Sequence, residues 1–524
     1  MKRQSDITGV IIIACIVLIL SCFSYSYASR LHQEDGVYTN HSAEFVRTLN
    51  RNASTDADAA FYNPAGLAFM KENGLYVAFT TQTFYAKKVH SMDYYAISVN
   101  NQPATATQVS QSWFRDCLPE KYDAELTAPA LPSFDVIWKK SDWAAYFDVS
   151  VMQAATDMTF PQGLAVMDWG NLATKEVGLY GTTGRLEEYN RNALAIRNEM
   201  YIGFTLGGAY RVLDWLSAGG GLRYINARGN MKIQMGDIRY VMDGALEYPE
   251  ENRWDVDVDT VGHGFGIILG SHFKPGRVVP YLKNLDASLR AEYYLPMAMK
   301  KTTNSFLVPA TLEASGSLDI FKDGSPGKQM TYQSGSNGQS SLMVTYAPSL
   351  HLGLAYTLLE RIKIESSAEL YLRQLRDLDG REDDYTYGYR LGAAVEYRVI
   401  PEIALSVGYL YNDFGIKPEK RNEADMLLRY HQIGGGMGFR VADRLDVNIG
   451  GFYIKYVPVT IYTTEQTSVG SDATHYMSKT FEEKRFSVAI GVTYRFLSGE
   501  IEQTIGDAGK TDIKSIKGLK TIKQ

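Results

Sequence analysis

The connections between the β-type segments of this chain alternate in length. Fourteen such segments fit between Gly74 and Leu497. Tight connections are expected at Lys140-Ser141-Asp142, Leu213-Asp214, Lys274-Pro275-Gly276, Leu359-Glu360, Ile400-Pro401 and Ala442-Asp443-Arg444. Long connections are expected over about 86–131, 153–198, 235–260, 296–343, 376–385, 415–426 and 458–483. A sheet that closes across a membrane needs an even number of antiparallel strands, with tight turns on one side and longer loops on the other. The pattern predicts an all-β protein, a fourteen-stranded antiparallel transmembrane β-barrel over residues 74–497, with both ends on the short-turn side.

The last predicted strand shows the alternation that such a barrel requires. One face carries Phe486, Val488, Ile490, Val492, Tyr494 and Phe496, and the other carries Ser487, Ala489, Gly491, Thr493 and Arg495. The first set suits hydrocarbon and the second suits a polar interior. The tenth and eleventh strands repeat the pattern, with aromatic residues at strand ends where interfacial girdles need them.

The thirteenth strand changes phase. Leu445, Val447 and Ile449 occupy odd positions, whereas Phe452 and Ile454 occupy even positions. We expect a glycine bulge at Gly450-Gly451 to absorb this slip. The alternative for the whole pattern is a soluble β-sandwich, whose strands are usually shorter and whose loops do not alternate in length.

Composition and the N-terminus set the compartment. The net charge of −6 disfavours nucleic acid as a partner. Lys2 and Arg3 precede an apolar core from Val10 to Leu20, and Ser26-Tyr27-Ala28 offers a cleavage site, so residues 1–28 are expected to be a signal peptide. Lipoprotein processing at Cys22 is the alternative. After cleavage only Cys117 remains, so no intrachain disulfide is expected.

Residues 29–73 differ in character from the strands that follow. The segment is polar and then reads Ala59-Ala60-Phe61-Tyr62-Asn63-Pro64-Ala65-Gly66. It is too short for an independent core, so we expect it to be a plug, or hatch, inside the barrel. Pro64 restricts Asn63 to extended geometry, and Gly66 permits a backbone that other residues resist. Phe61, Tyr62, Asn63, Pro64, Ala65 and Gly66 are the predicted hatch residues.

The stretch "NASTDADAAFYNPAGLAFM" resembles the N-terminal signature of the FadL/TodX family of outer-membrane channels for long-chain fatty acids and hydrocarbons. The stretches that begin at Thr205, Pro348, Arg390 and His431 are similar to hairpins of that family, so the resemblance covers nearly the whole mature chain. It implies a monomer inserted by the barrel-insertion machinery of a Gram-negative outer membrane. It also implies passive uptake of a hydrophobic small molecule, which exits sideways into outer-membrane lipid through a kink in the third strand, about Trp143 to Met152. The sequence alone does not locate that kink.

Two sets of side chains are candidates for ligand binding. Apolar residues in the second and third long loops are candidate capture residues, namely Phe160, Leu164, Met167, Trp169, Val241 and Met242. Packing of the loops against themselves explains these residues about as well. Lumen-facing cations on the ninth and tenth strands are candidate head-group contacts, namely Lys363, Arg373, Arg390 and Arg398. Charges inside a barrel more often pair with one another or with the plug.

Other classes of protein remain as alternatives. The chain has no HExxH or Gly-x-Ser-x-Gly motif, and we expect no catalytic residue, metal or cofactor. An outer-membrane lipase or esterase could still assemble its site from separate strands, and a general porin would share the barrel. A tail over residues 498–524, with five lysines from Lys510 to Lys523, is expected to be a periplasmic extension.

Overall fold

A computed structural model describes residues 41–99, 102–103, 121–169, 171–172, 186–247, 253–307, 339–376, 382–421, 426–467 and 473–496. The predicted signal peptide, Cys22, Cys117 and the tail after Phe496 lie outside these residues. Within them, no helix has the length and apolar character that a membrane crossing demands.

The described residues form one closed antiparallel sheet of fourteen barrel strands. Three of the strands consist of two pieces. The strands are β1 (Gly74–Val99), β2 (Tyr122–Lys140), β3 (Trp143–Phe160), β4 (Leu186–Leu213), β5 (Leu216–Met242), β6 (Trp254–Phe273), β7 (Leu285–Tyr294 and Met297–Leu307), β8 (Gln339–Val344 and Ser349–Leu358), β9 (Ile362–Tyr371), β10 (Gly388–Ile400), β11 (Ile403–Asp413), β12 (Tyr430–Ala442), β13 (Leu445–Tyr456 and Val459–Thr467) and β14 (Ala473–Phe496). Short pieces at Gln102–Pro103 and Ala245–Glu247 extend two of the hairpins.

Pairing between the first and last strands closes the barrel. The β1–β14 ladder runs from Leu75↔Phe496 to Val99↔Ala473. Five of the six predicted tight turns are observed, but the connection after β6 is longer than expected. It contains two 3-10 helices, Pro275–Arg277 and Pro280–Leu282, because each proline begins a helical turn and lacks a donor for the sheet.

Several strands run well past the ends that the sequence predicted. β1, β4 and β5 contain 26, 28 and 27 residues, although about ten residues of tilted strand suffice to cross a bilayer. On the long end of β6, Val256 and Val258 are buried while Asp257 and Asp259 point outward. Beyond the part of the barrel that faces the membrane, the outside of the wall is exposed to water, so the apolar residues face inward. Because the apolar face changes side there, the sequence pattern of these stretches was interpreted as loop rather than strand.

The same reversal removes the bulge expected in β13. Gly450 and Gly451 pair in unbroken register with Gly436 and Gly435 of β12, so the prediction of a bulge is wrong. Strict alternation continues, and Phe452, Ile454 and Tyr456 simply face the lumen, where they are buried. The apolar set changes face because the long-loop half of the lumen is itself apolar.

Prolines mark the places where three strands are divided. The break in β7 falls at Leu295-Pro296, the break in β8 ends at Pro348, and the break in β13 falls at Val457-Pro458. A proline cannot donate to the ladder, so it ends one hydrogen-bonded run and lets the chain bend before the next begins.

The exterior of the wall carries a broad apolar band. Leu206, Leu222 and Leu269 on β4, β5 and β6 are each more than 60% exposed, at 68%, 65% and 63%. Predicted outward residues of β14 and β10, including Val488, Ile490 and Leu391, are exposed as expected. Monomeric soluble proteins rarely show so large a contiguous apolar surface, so the band excludes the soluble sandwich.

Candidate functional site

The chain from His41 to Met70 is largely buried against the inner face of the wall, and we call residues 41–73 the lumenal segment. It contains α1 (Ala43–Thr48), α2 (Ala59–Tyr62) and a 3-10 helix (Pro64–Phe69). Ser42 caps α1 by accepting from the Phe45 N–H at 3.0 Å. Leu49 ends the helix with φ 57°, in the left-handed region. The segment packs against strands on several sides of the barrel, with contacts to β1, β3–β6 and β10–β14.

Glycines on the inner wall let the segment approach closely. A Cβ at Gly408 of β11 would lie 1.9 Å from the Thr48 carbonyl oxygen, and a Cβ at Gly353 of β8 would lie 2.5 Å from the Ala53 nitrogen. No side chain fits at either position without displacing backbone, so the wall is shaped to hold this segment.

The predicted hatch turn is an anchor point. Asn63 donates to the Ser54 carbonyl oxygen at 2.8 Å, and its amide nitrogen lies 2.8 Å from His272 Nδ1. Ser217 of β5 donates to the Ala65 carbonyl oxygen at 2.7 Å. Pro64 occupies the first turn of the 3-10 helix, where its missing N–H costs nothing.

Gly66 is needed for space rather than for an unusual φ. Its Cβ would stand 2.1 Å from the Ser54 carbonyl oxygen, and its φ is not in the left-handed region. The expectation of a special backbone geometry at this position is therefore wrong. The loop from Ser54 folds back directly over the turn and leaves room only for hydrogen.

Phe61 and Tyr62 lie in the middle of the lumen. Phe61 stacks on the His41 ring with centroids 4.7 Å apart, and the Arg223 guanidinium lies 4.9 Å from the Phe61 centroid. Tyr62 stacks on Phe45 at 5.1 Å and accepts from the His41 N–H at 2.9 Å. The two rings join the start of the segment to its turn.

Arg51 organises a buried ion cluster within the segment. It donates to Asp58 from Nε at 2.7 Å and from Nη2 at 3.0 Å, and it also bonds Asp56 and Ser54. Its Nη1 lies 3.5 Å from Glu365 of β9. Although burial alone would lower the pKa of Arg51, Asp58 and Glu365 hold that pKa well above its ordinary value. The guanidinium therefore stays charged and joins the segment to the wall.

His41 lies between two carboxylates of the wall. Its Nε2 is 3.0 Å from both oxygens of Asp135 on β2 and 3.3 Å from Asp148 Oδ2 on β3. All three side chains are almost fully buried. Burial by itself would lower the pKa of His41, but Asp135 and Asp148 outweigh it and raise the pKa from 6.5 to about 9. The ring is thus an imidazolium at neutral pH.

These three residues also have the donor types of a metal site. Among the described residues they are the one group of three whose ligand atoms lie within 4.8 Å of one another. The 3.0 Å separations of Nε2 from both Asp135 oxygens are those of a hydrogen bond from a protonated ring. The arrangement therefore fits a proton on His41 Nε2 that both aspartates face.

The hydrogen-bonded ladder between β2 and β3 is interrupted, and we call this interrupted stretch the side gap. Their ladder runs from Lys140↔Trp143 to Phe134↔Val149 and then stops, and the next pair is Glu125↔Thr159. β3 also skips register with β4 at Met152 and again between Ala155 and Met158. The sequence alone did not locate these irregularities of the third strand.

Two prolines account for the β2 side of the gap. Pro129 and Pro132 lie within the unpaired stretch of β2 and remove two N–H donors there. The bulges of β3 bend the opposite edge. The rim carries small and apolar side chains, of which Leu126, Ala128, Ala154 and Met158 are buried.

The lumen on the long-loop side is filled by an apolar cluster that continues to this rim. The predicted capture residues Phe160, Leu164, Met167 and Trp169 are all buried in it, together with Leu126, Ala128 and Met158. Val241 and Met242 are half-buried at the end of β5. The buried carboxylate of Asp168 accepts hydrogen bonds from Tyr122, Tyr189 and Arg191. The four buried capture residues, Phe160 to Trp169, therefore line the interior and not an exposed surface. A ligand role for all six predicted capture residues remains a prediction.

The predicted head-group cations have different surroundings. Lys363 lies 2.8 Å from Glu365, and Arg390 lies 3.2 Å from Glu369. Arg373 was expected on the ninth strand, but it begins a 3-10 helix (Arg373–Leu375) just after β9 ends at Tyr371. It is buried near the rings of Tyr371, Tyr385 and Phe414. Arg398 is exposed near the short-turn end of β10. The first two are paired, as charges inside a barrel commonly are, and a ligand role stays untested for all four.

Sequence reasoning missed His41, Asp135 and Asp148. The pairing of the two aspartates was within reach, since a tight turn at Ser141-Asp142 places residue 135 opposite residue 148. Nothing local indicated that His41 would reach them.

The fold defines a class: a closed fourteen-stranded antiparallel barrel whose lumenal segment packs against the inner wall and whose ladder is interrupted between β2 and β3. No family model matches the chain, and no curated protein matches it. Among solved structures, the chain shares its fold with a Pseudomonas aeruginosa FadL homologue, with a TM-score of 0.58 and 15% identity over 89% of this chain and 100% of that one.

Two toluene transporters are also found. TodX of P. putida has a TM-score of 0.45 and 12% identity over 84% of this chain and 95% of that one. TbuX of Ralstonia pickettii has a TM-score of 0.44 and 11% identity over 84% of this chain and 94% of that one. Both TM-scores are too low to establish a shared fold.

Proposed function

We propose that this protein is an outer-membrane channel for passive uptake of hydrophobic compounds, such as long-chain fatty acids or hydrocarbons. The compound enters from the long-loop side, passes through the apolar half of the lumen, and leaves sideways through the gap between β2 and β3. The observation that carries the proposal is the continuity of the apolar lumenal cluster with the rim of that gap at Leu126, Ala128 and Met158.

Lateral exit is the route that physical chemistry favours for such cargo. Each methylene of an acyl chain gains about 0.8 kcal/mol on leaving water. A path through the short-turn end would have to pass the buried ion cluster of Arg51, Asp58 and Glu365. Exit through the side gap avoids that cluster and leads directly into membrane lipid, which would receive the compound.

Blocking the gap tests the proposal. Ala128 and Ala154 are small, buried residues on opposite rims. Ala128→Trp and Ala154→Trp should each reduce the uptake of a fluorescent long-chain acyl compound by proteoliposomes towards the protein-free rate. Ala393→Trp places the same ring on the lipid-facing side of β10 and should leave uptake unchanged. Undiminished uptake by both rim variants would refute lateral exit through this gap.

The two alternative classes have their own signatures. An acyl-ester hydrolase would turn over soluble esters, whereas the channel should bind the compound saturably and release it unaltered. A general porin would show large ion conductance in planar bilayers, whereas a barrel occupied by its lumenal segment should show little.

A further inference from the structure

We propose that His41 is a positioning residue for lateral exit: it fastens the start of the lumenal segment to the Asp135–Asp148 pair at the corner of the side gap, and this clasp must open before cargo can leave. The inference rests on the proposed function. It adds a control point to the route that the fold and the apolar lining do not themselves reveal.

The two carboxylates of the clasp lie on adjacent strands. Asp135 and Asp148 are directly opposite each other across the β2–β3 ladder, and both face the interior. Like charges at directly opposite positions repel, and burial strengthens the repulsion. A cation placed between the two groups relieves this repulsion. The His41 ring supplies that charge from a single nitrogen that faces both groups.

Neighbouring wall residues hold Asp148, which belongs to the wall half of the clasp. Thr205 and Ser150 donate to Asp148 Oδ1 at 2.8 and 3.3 Å, and Arg223 Nη2 lies 3.9 Å from the same oxygen. Asp148 Oδ2 accepts no hydrogen bond from the described residues and faces His41. The wall therefore holds the carboxylate in place for the segment, whether or not the segment is docked.

The clasp lies at one end of the side gap. The Asp135–Asp148 pair is adjacent to Phe134↔Val149, the last pair before the ladder stops. Ser133, on the rim of the gap, donates to the His41 carbonyl oxygen. Both the ring and the backbone of His41 are thus fixed at the corner of the gap.

The clasp also connects to the rest of the segment. The His41 N–H donates to the Tyr62 hydroxyl at 2.9 Å, and Phe61 stacks on the ring. Asp58, an acidic residue of the segment, also contributes to the raised pKa of His41. Release of His41 would end these ring contacts, whereas the turn after Tyr62 would stay anchored through Asn63 and Ser217.

Removing the charge tests the clasp. His41→Gln should speed the release of a preloaded fluorescent acyl compound from the barrel into liposomes by about fivefold, equivalent to about 1 kcal/mol. Its equilibrium affinity for that compound in detergent should not change. Asp135→Asn with Asp148→Asn should give the same increase, and adding His41→Gln to that pair should add nothing further.

His272→Gln is the matched control. His272 also joins the segment to a wall carboxylate, through Asn63 at 2.8 Å and Asp286 at 3.0 Å, but it lies on β6, away from the gap. Its loss should lower stability without changing the release rate. An equal increase in the His272 variant, or no increase in the His41 variant, overturns the proposal. So does an EDTA-treated wild type that behaves like the His41 variant, because the site would then hold a metal.

A measurement without cargo separates failure of the clasp from failure of the proposed function. His41→Gln should accelerate hydrogen exchange of the amides over 42–49 and leave that of 59–69 nearly unchanged. If the wild type moves no hydrophobic compound but this exchange pattern is found, the clasp stands and the transport role fails. Unchanged exchange over 42–49 overturns the clasp itself.

Discussion

At the scale of single residues, buried charge decides how the lumenal segment is held. Arg51 and His41 are both almost fully buried cations of the segment, and each contacts wall carboxylates. A buried ion is stable only with its partners, so loss of one member leaves the others uncompensated.

Arg51→Met should lower the free energy of unfolding by about 3–5 kcal/mol, because Asp58 and Glu365 would lose their counter-charge in a buried site. Asp56→Asn is the control. The Asp56 side chain is 64% exposed, so its loss should change stability much less. Urea unfolding in detergent micelles measures both, and equal losses would contradict this account of the cluster.

The His41 contact should make docking of the segment depend on pH. Because the folded pKa is raised from 6.5 to about 9, its stabilisation is fully present below about pH 6.5 and is lost as pH rises through 9. The full effect is on the order of 3 kcal/mol. The difference in unfolding free energy between wild type and His41→Gln should shrink over this range, and a constant difference would contradict the ion pair.

At the scale of strands, one prediction concerns the space that glycine leaves in the wall. Gly408→Val should cost about 1–3 kcal/mol, because the new side chain meets the Thr48 carbonyl. Gly435→Ala on neighbouring β12, whose Cβ would be 3.3 Å from the nearest atom, should cost less. Urea unfolding compares the two, and similar losses would show that the segment does not pack as closely as described.

A second strand-scale prediction concerns the gap. The amides of β3 that face β2 over 150–158 have no ladder partner there, whereas those over 143–149 do. Hydrogen exchange should therefore be fast for about half of the amides over 150–158 and slow throughout 143–149. Uniform protection along β3 would mean that the ladder is closed in solution.

The strands also show which predictions local pattern can support. Alternation on β14 and β10 predicted their outward faces because one side meets an apolar and the other a polar surrounding. The same rule failed on the long end of β6 and on β13, where Val256 and Phe452 face inward. An apolar residue seeks the nearest apolar medium, and whether that medium is lipid or lumen depends on height in the barrel.

At the scale of the whole molecule, the lumenal segment determines what the barrel can pass. With the segment in place, single-molecule conductance in planar bilayers should be small. Deletion of residues 41–73 should convert the barrel to a large, porin-like conductance, because these residues occupy the lumen. Heat-modifiable migration in gels checks that the shortened barrel has folded, and a folded deletion variant of unchanged conductance would show that something else blocks the lumen.

The sequence by itself determined the number of strands, most of the tight turns, the start of the barrel at Gly74 and the pairing that a turn imposes on its hairpin. These features follow from short-range chemistry: alternation along a strand, and donors lost at proline. The tertiary structure alone decided where the β2–β3 ladder is interrupted and which carboxylates His41 meets, of which Asp135 is 94 residues away along the chain. Contacts of that kind arise only once the sheet closes around the segment, because closure, rather than local preference, brings distant residues to the same point of the lumen.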